Sequence, residues 1–217
     1  VGCGAYQAKL EPGGGDADKG RIWTPYYSWA IYFDNGPMDV LVYGNICARN
    51  TIGGIMISSW ANNVTIENNI FIDSDKTQAY LVLHGRASGV RFRNNIFSYS
   101  NPDADYMRID VGLDVEPAKV LTEYDYNLYS PPPGRQLAFS GLPGEATTRT
   151  GMATREDIGT TMQAWKGMGF DANSVIADPM FVDPANDNYD LQPDSPALKL
   201  GFVPIETGRI GLLPDSS

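Results

Sequence analysis

The sequence predicts an all-β chain that winds into a right-handed parallel β-helix, followed by an irregular C-terminal cap with a short helix. Three observations predict this fold. One segment repeats at a nearly constant spacing, each repeat holds two alternating apolar runs, and an asparagine recurs at a fixed phase. Stacked coils give such a pattern because each strand pairs in parallel with the same segment of the next coil.

The composition is that of a turn-rich and acidic protein. Of 217 residues, 23 are glycine, 15 are proline and 14 are asparagine. Aspartate and glutamate number 26 against 16 lysines and arginines, which gives a formal net charge of −10. This charge argues against nucleic acid as a partner, because nucleic-acid binding needs a basic surface. No apolar stretch reaches the roughly 20 residues of a membrane span.

Residues 1–28 are predicted to be an N-terminal segment that lies ahead of the coils. An uncovered first coil would be an open sheet edge, which proteins normally protect. The stretch Val1–Arg21, with its break at Gly13-Gly14-Gly15, is one candidate for the cover. The alternative partners are the missing N-terminal coils of a longer chain or a stacked second copy.

Residues 29–130 are predicted to form the regular coils. The segment Asp39–Asn50 returns at Asn63–Ser74 and Gly89–Ser100, with offsets of 24 and 26 residues, and more loosely at Val120–Ser130. A second alternating run precedes each copy, and its apolar side chains are predicted to point inward because alternate residues of a strand face opposite sides. These inward residues are Ile31 and Phe33, Ile55 and Ile57, Leu81 and Leu83, and Met107 and Ile109.

Four asparagines share one phase of the repeat: Asn45, Asn69, Asn95 and Asn127. Asparagine tolerates the left-handed backbone conformation of turns, and its amide can bond to an identical amide on the next coil. We therefore expect an asparagine ladder along the β-helix.

Residues 131–217 are predicted to leave the regular pattern. The proline-rich run Ser130–Gly134 ends the coils, and Thr154–Met168 is predicted to be a helix with Thr154 as its N-cap. The final segment has short strands broken by Asp-Pro and Ser-Pro turns. We expect it to form the last irregular coil and the closing cap.

The outward positions on the first strand of each coil carry the candidate functional residues. In coil order they hold Tyr32, Met56, Val82 and Arg108, then Asp34, Ser58, His84 and Asp110, and two positions further along Trp60 and Arg86. A solvated face can be polar without a function. So many polar and aromatic side chains in adjacent positions nevertheless favour a functional interpretation.

The string WAIYFDNGPMDVLVYGNI, followed by NVTIENNIFIDS, resembles a broad family of right-handed β-helix carbohydrate-active enzymes. Its members include glycoside hydrolases with α-L-fucosidase or xylanase activity, and the fold is shared with pectate lyases. The segments 173–181 and 195–205 are similar to the C-terminal end of the same proteins. Because members are several hundred residues long, the resemblance implies that this chain corresponds to their C-terminal third.

The resemblance implies a role in polysaccharide degradation. The expected partner is an oligo- or polysaccharide of plant-type or other origin, and the expected location is secreted, periplasmic or at the cell surface. Hydrolysis of a glycosidic bond needs two carboxyl groups about 5–5.5 Å apart for retention, or about 6.5–9.5 Å apart for inversion. Coils stacked about 4.8 Å apart can present carboxylates at either distance.

Asp34 is the first catalytic candidate, because it lies in the outward set and matches the Tyr-hydrophobic-Asp-Asp/Asn-Gly motif of the family that the chain resembles. Asp73 or Asp75, one coil later, would be its partner. Each of the three carboxylates also has a structural interpretation, as a side chain that caps a turn.

Six further residues are predicted to bind substrate: Tyr32, Trp60, His84, Arg86, Arg108 and Asp110. Tyr32 and Trp60 present flat rings on which a sugar can stack. His84 is the single histidine and can contact a sugar or carry a proton. Asp110 lies three coils from Asp34, or about 14 Å, so it fits substrate binding better than a catalytic pair.

Two other functions stay open at this point. A polysaccharide lyase would remove the proton α to a uronate carboxylate with His84, Arg86 or Arg108, although an acidic chain repels polyuronate unless calcium intervenes. A non-catalytic carbohydrate-binding or structural β-helix module would show the outward residues without a convergent carboxylate pair.

No cofactor or metal site is predicted. The acidic segments Asp183–Asp190 and Asp16–Asp18 are interpreted as turns rather than calcium sites, because the first lacks the glycine and glutamate of an EF-hand.

Overall fold

The structure is a computed structural model that describes residues 8–9, 22–23, 28–83, 85–111, 117–134, 138–140 and 160–207. It confirms the predicted all-β parallel β-helix. The alternating runs predict at least two strands in each coil; each regular coil contains three, and equivalent strands stack into three parallel sheets. Among the described residues no helix is both long enough and apolar enough to cross a membrane.

The first sheet contains β3 (Trp29–Phe33), β6 (Gly53–Ser59), β9 (Thr77–Leu83) and β12 (Asp105–Val111), extended by β15 (Ala138–Ser140) and β16 (Thr160–Thr161). The second sheet contains β4 (Met38–Tyr43), β7 (Asn62–Glu67), β10 (Ser88–Arg93) and β13 (Leu121–Asp125). The third sheet contains β5 (Ile46–Ala48), β8 (Ile70–Ile72), β11 (Ile96–Ser98), β14 (Leu128–Ser130) and β17 (Val175–Ile176).

The remaining elements lie outside the three sheets. They are the parallel pair β1 (Ala8–Lys9) and β2 (Ile22–Trp23), the helices α1 (Pro117–Val120), α2 (Met162–Gly167) and α3 (Pro196–Lys199), and the antiparallel pair β18 (Phe181–Asp183) and β19 (Asn188–Leu191), which a 3-10 turn (Pro184–Asn186) connects.

The interior of the coils is filled by stacked side chains. The rings of Phe71 and Phe97 lie 5.2 Å apart, and those of Phe97 and Tyr129 lie 5.7 Å apart. From the second coil onward the predicted inward residues are completely buried, whereas Ile31 and Phe33 of the first coil are only partly buried. Burial of this apolar column stabilises the fold because it removes hydrocarbon from water.

The first strand of the third coil, β9, pairs with β6 in a register that differs by two residues from the predicted one. Ile57 pairs with Leu81 and Met56 with Tyr80, so Tyr80 rather than Val82 follows Met56 on the outer face. The first strand advances by 24 residues between these coils, whereas the second strand advances by 26, from Val64 to Val90. The two extra residues therefore lie between β9 and β10, beyond the strand that carries the outward set.

The predicted asparagine ladder is present. The side-chain amide of Asn45 donates to the Oδ1 of Asn69 at 2.9 Å, Asn69 donates to Asn95 at 3.1 Å, and Asn95 donates to Asn127 at 3.2 Å. The left-handed backbone conformation falls not on these asparagines but on the residue before each of them, namely Gly44, Asn68, Asn94 and Tyr126. The ladder side chains are thus free to bond along the stack.

The predicted cap with a short helix closes one end of the coils. Trp165 of α2 and Phe170 pack into the interior cluster, with the ring of Trp165 5.2 Å from that of Tyr124. The helix is shorter than predicted: α2 begins at Met162, the two residues before it form β16, and residues 154–159 lie outside the described part of the chain.

Beyond β17 the chain runs back across the outer face of the third sheet. Phe181, Tyr189, Ala197 and Phe202 pack there against the outward apolar residues of β5, β8, β11 and β14. Hydrogen bonds fix the segment to three different coils: Arg49 donates to the Tyr189 hydroxyl, Asn68 to the Val203 carbonyl, and Asn94 to the Leu200 carbonyl. The outer face of the third sheet is therefore covered.

Candidate functional site

The candidate site lies where the first sheet turns into the second, on coils one and two. We call it the Tyr32–Trp60 surface; it consists of Tyr32, Asp34, Ser58 and Trp60. Tyr32 and Trp60 are 45% and 51% exposed. Tyr32 on β3 pairs with Met56 on β6, and Trp60 follows four residues after Met56. The two aromatic residues are thus separated by at most about 13 Å along the strand direction.

Asp34 lies between the two aromatic residues. Its Oδ1 accepts hydrogen bonds from the Ser58 hydroxyl at 2.8 Å and from the Asn35 backbone N–H at 2.9 Å. The turn-capping interpretation of Asp34 is therefore correct. It leaves Oδ2 without a donor among the described residues, and the side chain is exposed. Asp34 can thus both hold the turn and accept hydrogen bonds from a ligand.

The turn after Asp34 determines where the Trp60 ring lies. Asn35 and Gly36 both have left-handed backbone conformations, with φ of 54° and 78°. A Cβ atom on residue 36 would come within 2.2 Å of the Trp60 indole nitrogen. Glycine is required there for two reasons: the backbone needs positive φ, and the indole ring occupies the space that a side chain would fill.

This arrangement is suited to a polyhydroxylated ligand. An aromatic ring offers an apolar face to the C–H groups of a sugar, and a carboxylate oxygen can accept hydrogen bonds from its hydroxyl groups. Two rings on either side of one carboxylate can contact more than one sugar unit along the strand direction.

The other two predicted catalytic carboxylates lie at the opposite end of the strand. The Asp75 N–H donates to the carbonyl of Asn50, which precedes β6, whereas Asp34 bonds to Ser58 near the end of β6. The extended chain from Gly53 to Ser58 lies between these points and spans about 17 Å. That is well beyond the largest carboxylate separation found in glycoside hydrolases, about 9.5 Å. The structure therefore does not bring Asp34 together with Asp73 or Asp75.

Asp73 connects two coils. Its Oδ1 accepts hydrogen bonds from the Ser100 backbone N–H at 2.7 Å and from the Ser100 hydroxyl at 2.8 Å. Nearby, desolvation raises the pKa of the Asp75 carboxyl above its ordinary value, and the positive charge of Lys76 partly offsets this rise.

Asp73 also lines a groove of about 830 Å³ between the coils and the returning C-terminal segment. The lining also includes Asp178, Met180 and the run Pro131–Pro133. The Oδ1 of Asp178 accepts a hydrogen bond from the Met180 N–H at 2.7 Å. Sequence reasoning missed Asp178 because it lies outside the repeat; its only signal is the Asp-Pro turn directly after β17.

The predicted basic residues lie on later coils. Arg86 is one coil beyond Trp60, since Ser88 pairs with Asn62, and Arg108 is three coils beyond Tyr32. Arg108 lies over the ring of Tyr80, 5.5 Å from its centroid, and Tyr80 in turn stacks on Trp29 at 5.6 Å. With Met56, these two aromatic residues form a buried cluster on the outer face of the first sheet. Arg86 is exposed in the turn after β9.

The side chains of two predicted binding residues, Asp110 and His84, are not among those that the structure describes. Asp110 lies on β12, paired with Val82 of β9, rather than with His84 as predicted. His84 lies outside the described residues, and the side chain of Asp110 is likewise not described.

The described residues contain no group of three or more His, Cys, Asp or Glu side chains that could hold a metal ion. In the segment considered for calcium, Asp183 accepts a hydrogen bond from Asn186, and Asp187 forms an ion pair with Arg49 at 2.5 Å. The segment Asp16–Asp18 lies outside the described residues. That the protein works without a cofactor stays a prediction.

Known proteins give no further guide to the function. No protein-family model matches the sequence, and no curated protein or solved structure is detectably similar to it. The resemblance to β-helix carbohydrate-active enzymes therefore stays a prediction, and the function must be argued from the site itself.

Proposed function

We propose that the protein binds an oligo- or polysaccharide on the Tyr32–Trp60 surface. One observation carries this proposal: two half-exposed aromatic rings lie on either side of an exposed carboxylate that has a free oxygen. Half-exposed aromatic rings in a fixed arrangement are typical of ligand contact, because their burial on binding releases water from apolar area. The separation of Asp34 from the other candidate carboxylates supports binding rather than catalysis at this surface.

The charge of the chain narrows the ligand class. A net charge of −10 repels an anionic glycan such as a polyuronate. A neutral glycan meets no such barrier, and its hydroxyl groups can donate to the Asp34 carboxylate. We therefore propose a neutral oligosaccharide, which the two rings contact at two points.

The test is calorimetric titration with a panel of neutral polysaccharides and their oligosaccharides. Trp60→Ala is expected to weaken binding about tenfold or more, since truncation of an aromatic anchor typically costs over 1 kcal/mol. Tyr43→Ala is the matched control, because Tyr43 is also about half exposed, lies on coil one and is outside the surface. Equal affinity of Trp60→Ala and the parent protein would rule out this site.

A second candidate function is glycoside hydrolysis in the groove. The observation that favours it is that Asp73 and Asp178 line the same groove of about 830 Å³, a volume suited to a small ligand. In this proposal the two carboxyl groups act as the acid and base pair, and Asp34 has no catalytic role.

Release of reducing ends from a bound polysaccharide tests this second candidate. Asp73→Asn and Asp178→Asn should each abolish release, while Asp34→Asn, outside the groove, should retain it. Asparagine keeps the acceptor oxygen that bonds Ser100 or Met180, so the local fold is preserved. Full activity in both groove variants would exclude the carboxylate pair, and unsaturated uronate products would indicate a lyase instead.

A further inference from the structure

The asparagine ladder has a direction. The Oδ1 atoms of the later members accept hydrogen bonds from the preceding coil, whereas that of the first member, Asn45, accepts none from a described residue. The Oδ1 of Asn69 accepts from both the backbone N–H and the side-chain amide of Asn45, at 3.0 and 2.9 Å. Asn95 and Asn127 accept in the same way from the asparagine one coil earlier. No described donor reaches the Oδ1 of Asn45, so this oxygen points to where an earlier coil would lie.

The second strand of coil one has an unpaired edge. Within the described residues β4 pairs with β7 alone, whereas β7 and β10 each have a neighbour on both sides. The inward-facing Val40 of β4 is partly exposed, while Val64, which pairs with it, is completely buried. Among the described residues, nothing pairs with β4 on the side of the interior column away from β7.

The outward side chains of β4 differ in character from those of the other coils. Met38, Leu41 and Tyr43 are 64%, 62% and 48% exposed. The residues that pair with them on the next coil are polar, namely Asn62, Thr65 and Glu67. An apolar strip beside an unpaired strand edge is the surface expected where another strand adds to the sheet.

The opposite end of the ladder is closed. The side-chain amide of Asn127 donates to Asp171 at 3.2 Å, and the indole nitrogen of Trp165 donates to the same carboxylate at 2.7 Å. An ionised carboxylate only accepts hydrogen bonds, and Asp171 is completely buried. This end therefore cannot supply the donors that Asn45 needs.

We propose that the edge of coil one is an assembly surface for a further parallel β-helix coil that carries asparagine at the ladder position. Such a coil supplies the N–H and amide donors for the Asn45 Oδ1, the strand for the edge of β4, and the apolar side chains that cover Val40. The donor asparagine comes from outside the first 34 residues, since Asn35 is the first asparagine of the chain.

A second copy of the described fold does not fit this surface. A copy stacked head to tail would present its closed end, where Trp165 and Phe170 cover the last coil and the buried Asp171 offers no donor. A copy related by a two-fold axis would run its strands antiparallel to β4 and would place one Asn45 oxygen opposite the other. Of these three arrangements, the parallel coil with the same ladder direction is the one that provides a strand for the edge of β4 and donors for the Asn45 Oδ1.

The experiment adds such a coil to the chain. A second copy of Gly53–Lys76 is inserted between Ser28 and Trp29. Trp29 pairs with Gly53 in the fold, so the copy continues the register of the coils. Because the copy is 24 residues long, its ladder asparagine lies 24 residues before Asn45. Since each coil of a solenoid stabilises its neighbours, the thermal midpoint should rise by about 4 °C or more. The edge-facing amides of β4 should exchange with solvent at least about tenfold more slowly.

Two controls separate a stacked coil from a merely attached one. In the first, alanine replaces the inserted copy of Asn69, and the gain in thermal midpoint should fall. In the second, serine replaces the inserted copies of Ile55, Ile57, Val64 and Ile66, and β4 should lose its added protection. If the extended chain does not fold, a synthetic 24-residue peptide of the same sequence is added to the parent protein, and β4 exchange is measured again.

Equal exchange rates of the β4 amides with and without the added coil would overturn the proposal. It would also be overturned if β4 of the parent protein became protected as its concentration rises, together with dimer formation in sedimentation, because a second copy would then be the occupant. Protection that requires the added coil and its asparagine supports it.

Discussion

At the residue scale, Asp171 has the most unusual environment in the described part of the chain. It is completely buried at the end of the asparagine ladder. Its carboxylate accepts hydrogen bonds from four side chains, those of Asn127, Tyr129, Trp165 and Ser174. Burial nevertheless raises its pKa to about 6, although the four hydrogen bonds act to lower it.

This pKa predicts that part of the stability is lost as the pH rises. Because the carboxyl pKa is about 6 in the folded protein and about 3.9 in an unfolded chain, the folded state binds the proton more tightly. The resulting stabilisation is fully present below about pH 4 and is lost as the pH passes about 6, by roughly 3 kcal/mol. Asp171→Asn removes this contribution.

Urea unfolding of both proteins at several pH values between about 4 and 7 measures the effect. The difference in unfolding free energy, parent minus Asp171→Asn, should shrink as the pH rises through this range. A difference that stays constant or grows with pH would show that Asp171 is ionised throughout.

The ladder asparagines should contribute different amounts to the free energy of unfolding, depending on their position in the ladder. Asn69 is completely buried; it donates to the Val42 carbonyl and to Asn95, and it accepts from Asn45. Asn69→Ala leaves several buried groups unpaired and should lower the free energy of unfolding by about 2–4 kcal/mol. Asn45→Ala, at the partly exposed end, should cost about 1 kcal/mol. Equal losses in urea unfolding would contradict a directional ladder.

At the scale of elements, the returning C-terminal segment is a unit that can loosen separately. Arg49 holds it to coil one through Asp187 and Tyr189, and this contact holds the pKa of the exposed Asp187 below its usual range. Because exposed ion pairs contribute little to global stability, Arg49→Ala should lower the thermal midpoint by less than about 3 °C.

The local effect of Arg49→Ala should be larger than the global one. Backbone amides of β19 should exchange faster in hydrogen-exchange mass spectrometry, while those of β7 and β10 should keep their rates. Arg49→Lys is the matched control, since it retains the charge. Uniformly faster exchange across the coils would show that the segment and the coils unfold together.

The strands that could be predicted from the sequence are those long enough to show an alternation of apolar and polar residues. The first and second strands of each coil span five to seven residues and alternate clearly, whereas the third spans three in each regular coil. A three-residue strand cannot show an alternation, and β8 reads Ile-Phe-Ile because the interior and the C-terminal segment bury both of its faces. Apolar residues on both faces were the available signal that the third sheet is covered.

The candidate site was predicted only in part, because only some of its residues lie where the repeat is regular. Tyr32, Asp34 and Trp60 lie on coils whose two offsets agree, so their neighbourhood could be predicted from phase alone. Tyr80 was missed because two extra residues follow β9. The second strand therefore advances by 26 residues between coils two and three, whereas the first strand advances by 24. Whether Asp34 faces Asp73 depends on how many sheets a coil contains, which the repeat did not reveal.

At the scale of the whole molecule, the described coils are asymmetric. One end is closed by Trp165, Phe170 and the buried Asp171, while the other presents the edge of β4. The outer face of the third sheet is covered, and that of the second sheet carries the ion pairs of Arg93 with Glu67 and Glu123. The Tyr32–Trp60 surface lies near the open end, at the corner between the first and second sheets.

Contact between a neutral glycan and Trp60 can be observed through the indole N–H signals of the four tryptophans. In an ¹⁵N NMR titration with the tightest-binding oligosaccharide, the Trp60 signal, assigned with Trp60→Phe, should shift as the sites fill. The signal of Trp165, which donates to Asp171 in the core, should stay in place. Saturable binding without a shift of the Trp60 signal would contradict glycan binding on the Tyr32–Trp60 surface.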